Sequence, residues 1–369
     1  MCMKKIKRRY KLLNLCLLIL ISGCTINNKN EDFETYGITQ NKSVSLQKVG
    51  TILLKPGDEL IGKFREDLSI DNTGEIISFA DDNEQEIYLF KRNGELINIL
   101  GKKGQGPKEF LQISAYSVYN REVIVVDESQ SLIKIFDLEG NLKRTFSLFE
   151  NTRLFINSRE IIVHGDTIYL QILEAGYLND KSGSKLVVGF DLFTGEITDL
   201  IGQFDPFLDQ IDHHLSLTNI SLTPDNSGIA SVLTTSSRIQ IFNLNSDVRT
   251  HYFGLESPDW NPISEKIEPS MPRHVVMERA LGNSYSTGLY FSNNYLLHHF
   301  QNMTESWFNT NDYLSKENYL NVFDYSKFEY YGTIILPGTL GDVYGDICFI
   351  IEDYNPDNFI IGEYEVQID

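Results

Sequence analysis

"LIKIFDLEGN", Leu132 to Asn141, decides the fold. Alternating apolar residues read as a strand, Phe136 ends it, and the Asp-Leu-Glu-Gly-Asn that follows is turn chemistry. The pattern recurs as "EIYLFKRNGE", "LVVGFDLFTGE", "RIQIFNLNSD", "YLNVFDYSKF" and "FIIGEYEVQID". Its aromatics are Phe90, Phe136, Phe190, Phe242, Phe323 and Tyr364, spaced 46, 54, 52, 81 and 41 residues apart. A second apolar strand precedes each one ("EVIVVDE", "ICFIIED"), and a third follows most ("ELINILG", "EITDLIG"). Repeats of this length built from short strands predict a β-propeller, in which each blade is a four-stranded antiparallel sheet. The strands are apolar on both faces, because a blade is covered by a neighbour on each side. The expected fold is therefore all-β: a six-bladed β-propeller over residues 43–369.

The sixth repeat reaches the C-terminus without an outer strand. One strand is left over at the other end, "SVSLQKVGTILL", Ser43 to Leu54. It is expected to pair with the last repeat and close the ring, so that no strand edge is left open at the seam.

Residues 1–23 read as a targeting segment and are set apart from the fold. "MCMKKIKRRYK" carries six basic residues and no acid, and the apolar run "LLNLCLLILIS" is too short to cross a bilayer as a helix. "ISGC", Ile21 to Cys24, resembles a bacterial lipobox. That resemblance implies cleavage before Cys24, acylation of Cys24 and attachment to a membrane through the lipid. Residues 24–42 are polar and without period and read as a flexible tether. Glu31 and Asp32 resemble the acidic surface-export signal of Bacteroidota lipoproteins. Cleavage would leave Cys348 as the only other cysteine, without a disulfide partner. In "VYGDICFIIED" it reads as a small buried hydrophobe.

The whole chain has a net charge of −19, and loss of the six leading basic residues takes it to −25. Such a surface does not suit nucleic acid, whose phosphates need a basic face.

"GKKGQGPKEF", Gly101 to Phe110, has the composition of a phosphate cradle but not its order. A P-loop needs Lys-Ser/Thr opening a helix after its glycines, and a dinucleotide loop needs G-x-G-x-x-G. Here the order is G-x-x-G-x-G, Pro107 follows Gly106, and no helical period comes next. The run reads as a turn with a packing role, with Gly104 and Gly106 free to take positive φ. Gly101, Gly104, Gly106, Pro107, Glu109 and Phe110 match a motif of the six-bladed β-propeller lipoproteins of Bacteroidota, a family similar to NHL-repeat propellers. The resemblance implies a fold and an outer-membrane address, with exposure at the cell surface as one option. It carries no activity over to particular residues.

The long connections fall on one face of the expected ring: 173–184, 203–216, 255–284 and 302–316. They carry Tyr177, Phe204, Phe207, Trp260, Trp307, Phe308 and Tyr313, with His213 and His214 beside them. Aromatic rings among amides and carboxylates suit sugar rings or peptides, and they suit the capping of blades equally. Tyr177, Phe207, His213, His214, Trp260, Trp307 and Tyr313 are the candidate ligand-binding set.

No metal-ligand spacing, nucleophile elbow or activated cysteine is present, so no catalytic residue or cofactor is assigned. His298 and His299 are adjacent on a strand and face opposite ways. Asp127 ends a strand where propeller enzymes place polar ligands, an argument from fold alone. The leading functional reading is a lipid-anchored binding module for a glycan or peptide. A hydrolase or lyase using a divalent cation in the central channel, and a scaffold for another envelope protein, stand as alternatives.

Overall fold

The structure is a computed structural model that describes residues 33–39, 42–55, 64–148, 154–174, 185–203, 205, 218–263, 271–293, 295–310, 315–355 and 358–369. Two units are distinguished, Met1–Glu34 and Thr35–Asp369. The first is described only at Phe33 and Glu34, and the ring belongs to the second. Cys24 lies outside the described residues.

Six sheets of antiparallel strands follow one another along the chain. From inner to outer strand, blade 1 comprises Phe64–Ile70, Ile76–Asp81, Glu86–Lys91 and Leu96–Gly101. Blade 2 comprises Ile113–Tyr119, Glu122–Asp127, Leu132–Asp137 and Leu142–Ser147. Blade 3 comprises Leu154–His164, Thr167–Glu174, Val187–Asp191 and Ile197–Ile201. Blade 4 comprises Thr218–Leu222, Gly228–Leu233, Arg238–Asn243 and Arg249–Leu255, and blade 5 Ser284–Ser292, Tyr295–Asn302, Glu317–Asp324 and Glu329–Ile335. Blade 6 takes Thr339–Tyr344, Ile347–Asn355 and Asn358–Ile368 from the C-terminus and Val44–Leu54 from the N-terminus. The N-terminal strand pairs from Val44↔Ile368 to Leu54↔Phe359, so the ring closes as the leftover strand requires.

All six landmark aromatics sit on the third strand of their blades, and all are buried. Each is paired with the second residue of the preceding strand: Ile77, Val123, Ile168, Ile229, Leu296 and Cys348. Cys348 thus occupies a slot that is aliphatic in the other five blades. It is fully buried, and burial pushes its thiol up to about 12, which leaves it inert.

The outer strand slips by one residue at the landmark in every blade. The unpaired residue is Ile97, Lys143, Thr198, Thr250, Tyr331 or Val49. A bulge adds twist to the strand that carries it, and twist at the rim is what the outermost strand of a blade needs.

Burial follows the blade interfaces. Among the described residues there are six apolar clusters, one between each pair of neighbours. At the seam, Ile52 and Leu54 of the N-terminal strand join Phe79, Phe90, Phe349 and Phe359. The Phe79 and Phe359 rings stack at 5.0 Å, nearly parallel.

A short strand, Glu34–Tyr36, adds a fifth member outside the outer strand of blade 4, within the stretch expected as tether. Tyr36 then packs edge-on against Phe253 of blade 4 and Phe323 of blade 5, at 5.6 and 5.2 Å. Ile38 bridges to Tyr330 of blade 5 before the chain enters blade 6.

Candidate functional site

The connections between second and third strands, and from each outer strand to the next inner one, share a face. The longest are 174–187, 201–218, 255–284 and 302–317, as the strand bounds give them. On the other face the turns are tight. Four are opened by Asp or Asn side chains that accept from amides two to four residues on: Asp137, Asp191, Asn243 and Asp324. The asymmetry of the two faces is therefore built into the strand ends.

Of the candidate ligand-binding residues, Tyr177, Phe207, His213, His214 and Tyr313 lie outside the described residues, as does Phe204. Trp260 and Trp307 are described, and both are half-buried. The Trp260 ring lies 5.2 Å from that of Phe300, edge to face, and 5.7 Å from His298. Its segment is fixed by Asn261, whose amide donates to Ser284 Oγ at 2.7 Å. Trp307 lies on the short helix Glu305–Thr310, capped by Thr304 Oγ1, with the Lys316 ammonium 5.2 Å from its ring centre. Its buried indole Nε1 has no hydrogen-bond partner among the described residues. The two tryptophans are thus both packed residues and partly open ones. They are positioned by different strands of blade 5.

Beneath Trp260 is a buried polar network. His298 Nε2 lies 3.0 Å from Ser286 Oγ, and its Nδ1 lies 3.2 Å from Asn321 Nδ2. Asn321 Oδ1 accepts from Tyr330 and Thr333, and Asn219 Nδ2 donates to the Ser286 carbonyl. His299 points the other way, to Thr287 Oγ1 at 2.9 Å and Asn318 Oδ1 at 3.1 Å. The adjacent histidines face opposite sides, as strand geometry requires. Among the described residues no three His, Cys, Asp or Glu side chains are arranged to hold a metal ion.

Burial pulls both imidazoles down, His298 to about 3 and His299 to about 4, from an ordinary value of 6.5. The unfolded chain therefore binds protons below pH 6.5 that the folded one refuses. Stability from these groups is complete above pH 6.5 and falls as pH drops, by up to about 1.4 kcal/mol per pH unit for each histidine. Asp342, pushed up to about 7 by burial from 3.8, acts in the opposite sense over the same range. Two histidines against one aspartate leave a net loss on acidification. The urea midpoint is expected to be lower at pH 5 than at pH 7, and His299→Gln should reduce that difference. Equal midpoints at the two pH values would contradict the neutral, buried assignment.

The glycine-rich run crosses from the rim of blade 1 to the centre of blade 2, and its own groups satisfy it. Glu109 Oε2 accepts from the Gly106 amide at 2.9 Å, and Oε1 pairs with Lys102 at 3.2 Å. These contacts hold the Glu109 carboxyl below the usual range, the Gly106 amide contributing most. Positive φ falls at Gly101, at +85°, and not at Gly104 or Gly106 as the sequence suggested. A Cβ on Gly101 would stand 2.1 Å from the Phe110 ring, and one on Gly104 would stand 2.1 Å from Glu109 Oε2. Gly101 is required by close approach to a ring, whereas at Gly104 the end of the Glu109 side chain would have to move; both contacts fit a packing role.

Sequence reasoning missed what lies under this loop. Lys134 is 1 % exposed, and its ammonium meets the Glu109 carbonyl, Asp127 Oδ2 at 3.5 Å and the face of Phe110. Asp127, wholly buried, also accepts from the amides of Leu111 and Gln112. Its carboxylate is spent on the loop, which corrects the strand-end ligand role considered for it. The signal was in the sequence: two residues before the landmark stand Tyr88, Lys134, Val188, Gln240, Asn321 and Gly362. Three of these six are polar at a buried slot.

Fold and loops define a six-bladed β-propeller. A family model described as a six-bladed β-propeller, DUF5128, matches residues 27–158. No curated protein matches. A member of the DUF4221 family from Bacteroides vulgatus superposes with a TM-score of 0.71 at 14 % identity, covering 89 % of this chain and 99 % of that one. A protein described as exported, from Bacteroides fragilis, gives 0.57 at 14 % identity over 91 % and 99 %. A gluconolactonase from Xanthomonas campestris gives 0.50 at 13 % identity over 86 % and 98 %. At these identities the likeness is one of fold.

Proposed function

We propose that the protein is a lipid-anchored propeller of the cell envelope that binds a neutral glycan or a peptide on its long-loop face. The observation that carries the binding half is the placement of both tryptophans, half-buried, on the face that holds the long connections. A net charge of −19 disfavours an anionic polymer, because like charges repel at long range. The address rests on the basic, apolar and lipobox segments ending at Cys24. The described-as-exported relative in fold agrees with that address.

The test joins both halves. Cells expressing the chain are fed a fatty-acid analogue, and label is expected on the parent and lost with Cys24→Ala. The purified ring is then titrated against neutral oligosaccharide and peptide libraries. Trp260→Ala and Trp307→Ala should each weaken the best ligand several-fold, since a stacked aromatic contributes on the order of 1 kcal/mol beyond its area. Normal binding by both variants, or melting of both, would leave the rings as blade caps. Retained label on Cys24→Ala would refute the anchor.

A further inference from the structure

We propose that the rim between blades 1 and 2 is a docking groove for an extended acidic peptide, which adds as a fifth strand to the outer edge of blade 1. The groove lies at the rim, apart from the long connections of blades 3 to 5, and does not rest on the binding proposed for them.

An open cavity of about 430 Å³ lies here. Four consecutive residues of one strand line it, Asn98, Ile99, Leu100 and Gly101. Successive residues of a strand point to opposite faces, so a wall made of four in a row is the strand's edge. Leu96–Gly101 is terminal in its sheet; Lys55 bridges to Glu95 just before it, and among the described residues no strand pairs with the outer side of Leu96–Gly101 itself. An edge of this kind is a template for another chain. The opposite wall is the Gly101–Phe110 loop, held rigid by its own hydrogen bonds, with Phe136 and Gly140 of blade 2 completing the lining. Asn98 Nδ2 donates to the Leu138 carbonyl at 2.9 Å and fixes the two blades across the groove.

The ring already holds a fifth strand in this way. On blade 4, Glu34–Tyr36 lies along the outer strand, which carries Arg249 and His251, and the approaching sequence "EDFETY" is acidic. Charge points to a similar occupant at blade 1. The loop carries Lys102, Lys103 and Lys108 against Glu109, in a chain of 51 acids and 32 bases. Lys102 is engaged by Glu109, whereas among the described residues Lys108 reaches only Asn141 Oδ1, at 3.5 Å. Glu139 is the one other acid lining the groove.

The probe is the peptide EDFETYGI, the sequence of Glu31–Ile38, added to the full chain, in which the blade 4 edge is covered by its own copy. Saturable binding is expected, with slowed amide exchange at residues 96–101 and no change at 249–255. N-methylation of alternate peptide amides should weaken binding about tenfold or more, because strand addition depends on main-chain hydrogen bonds. Lys108→Glu, a change at an exposed side chain that leaves the fold intact, should weaken it several-fold. Absence of saturation by about 1 mM, a free energy near −4 kcal/mol, overturns the proposal. So does equal binding of the N-methylated peptide, or slowed exchange confined to 249–255.

Discussion

A chain beginning at Lys55 is expected to lose most of its stability. The deletion takes away the whole outer strand of blade 6 and, with it, Ile52 and Leu54, which are 5 % and 0 % exposed in the seam cluster. Loss of each such side chain costs about 2–4 kcal/mol, before any backbone pairing is counted. The total stability of a folded domain is about 5–15 kcal/mol. The long edge of Asn358–Ile368 would also be uncovered, with its apolar residues available to other molecules. Thermal melting followed by circular dichroism should show a midpoint lower by more than about 10 °C, or aggregation in place of a transition. A chain beginning at Asp32 keeps both N-terminal strands and should melt like the parent. If the Lys55 variant melts like the parent too, the seam contributes nothing and the closure is ornamental.

The second large effect is expected at a single residue. Asp127→Ala removes the carboxylate that faces the Lys134 ammonium and caps the amides of Leu111 and Gln112. Burial already pulls Lys134 below the usual lysine range, the nearby Asp127 charge opposing that pull. Without its partner the ammonium is a buried, uncompensated charge, and breaking such a pair costs about 3–5 kcal/mol. Replacing both partners is gentler than replacing one. Asp127→Asn with Lys134→Met should regain a good part of the loss, since the amide oxygen can still accept and the apolar chain still fills the slot. Urea unfolding of the parent, the single and the double variant measures this. A single variant within about 1 kcal/mol of the parent would mean that water reaches the site and that the pair is not truly buried.

How much could be read beforehand depends on how locally each feature is encoded. The blades were legible because Phe90, Phe136, Phe190, Phe242, Phe323 and Tyr364 each fill the same buried slot beside a tight turn, and the demand repeats. Closure by Val44–Leu54 followed from counting, since one blade was short of a strand. The bulges were not legible. They arise from twist at the rim, and residues as unlike as Ile97, Lys143 and Val49 occupy them. Nor was the strand Glu34–Tyr36, three residues long, whose partners Phe253 and Phe323 are more than 200 positions away. Lys134 looked like an ordinary strand residue because its counter-charge, Asp127, sits on the neighbouring strand, where no alternation of residues marks the pair. The candidate binding face was legible as a set of long connections, but their geometry depends on contacts between loops, for which a sequence has no period.

The strand that seals blade 6 has a consequence for the order of events in making the protein. Lys48 forms an ion pair with Glu352, 304 residues away along the chain. Val44–Leu54 is among the first parts of the ring to leave the ribosome, and its partner Asn358–Ile368 is the last. Contacts so distant in sequence form late and slowly. Throughout synthesis the ring must stay open, five blades assembling while the first strand waits. A product that ends early, by proteolysis or a premature stop, cannot seal, and its seam stays exposed. The ring thus reports its own completeness: only a chain that has arrived whole can shut.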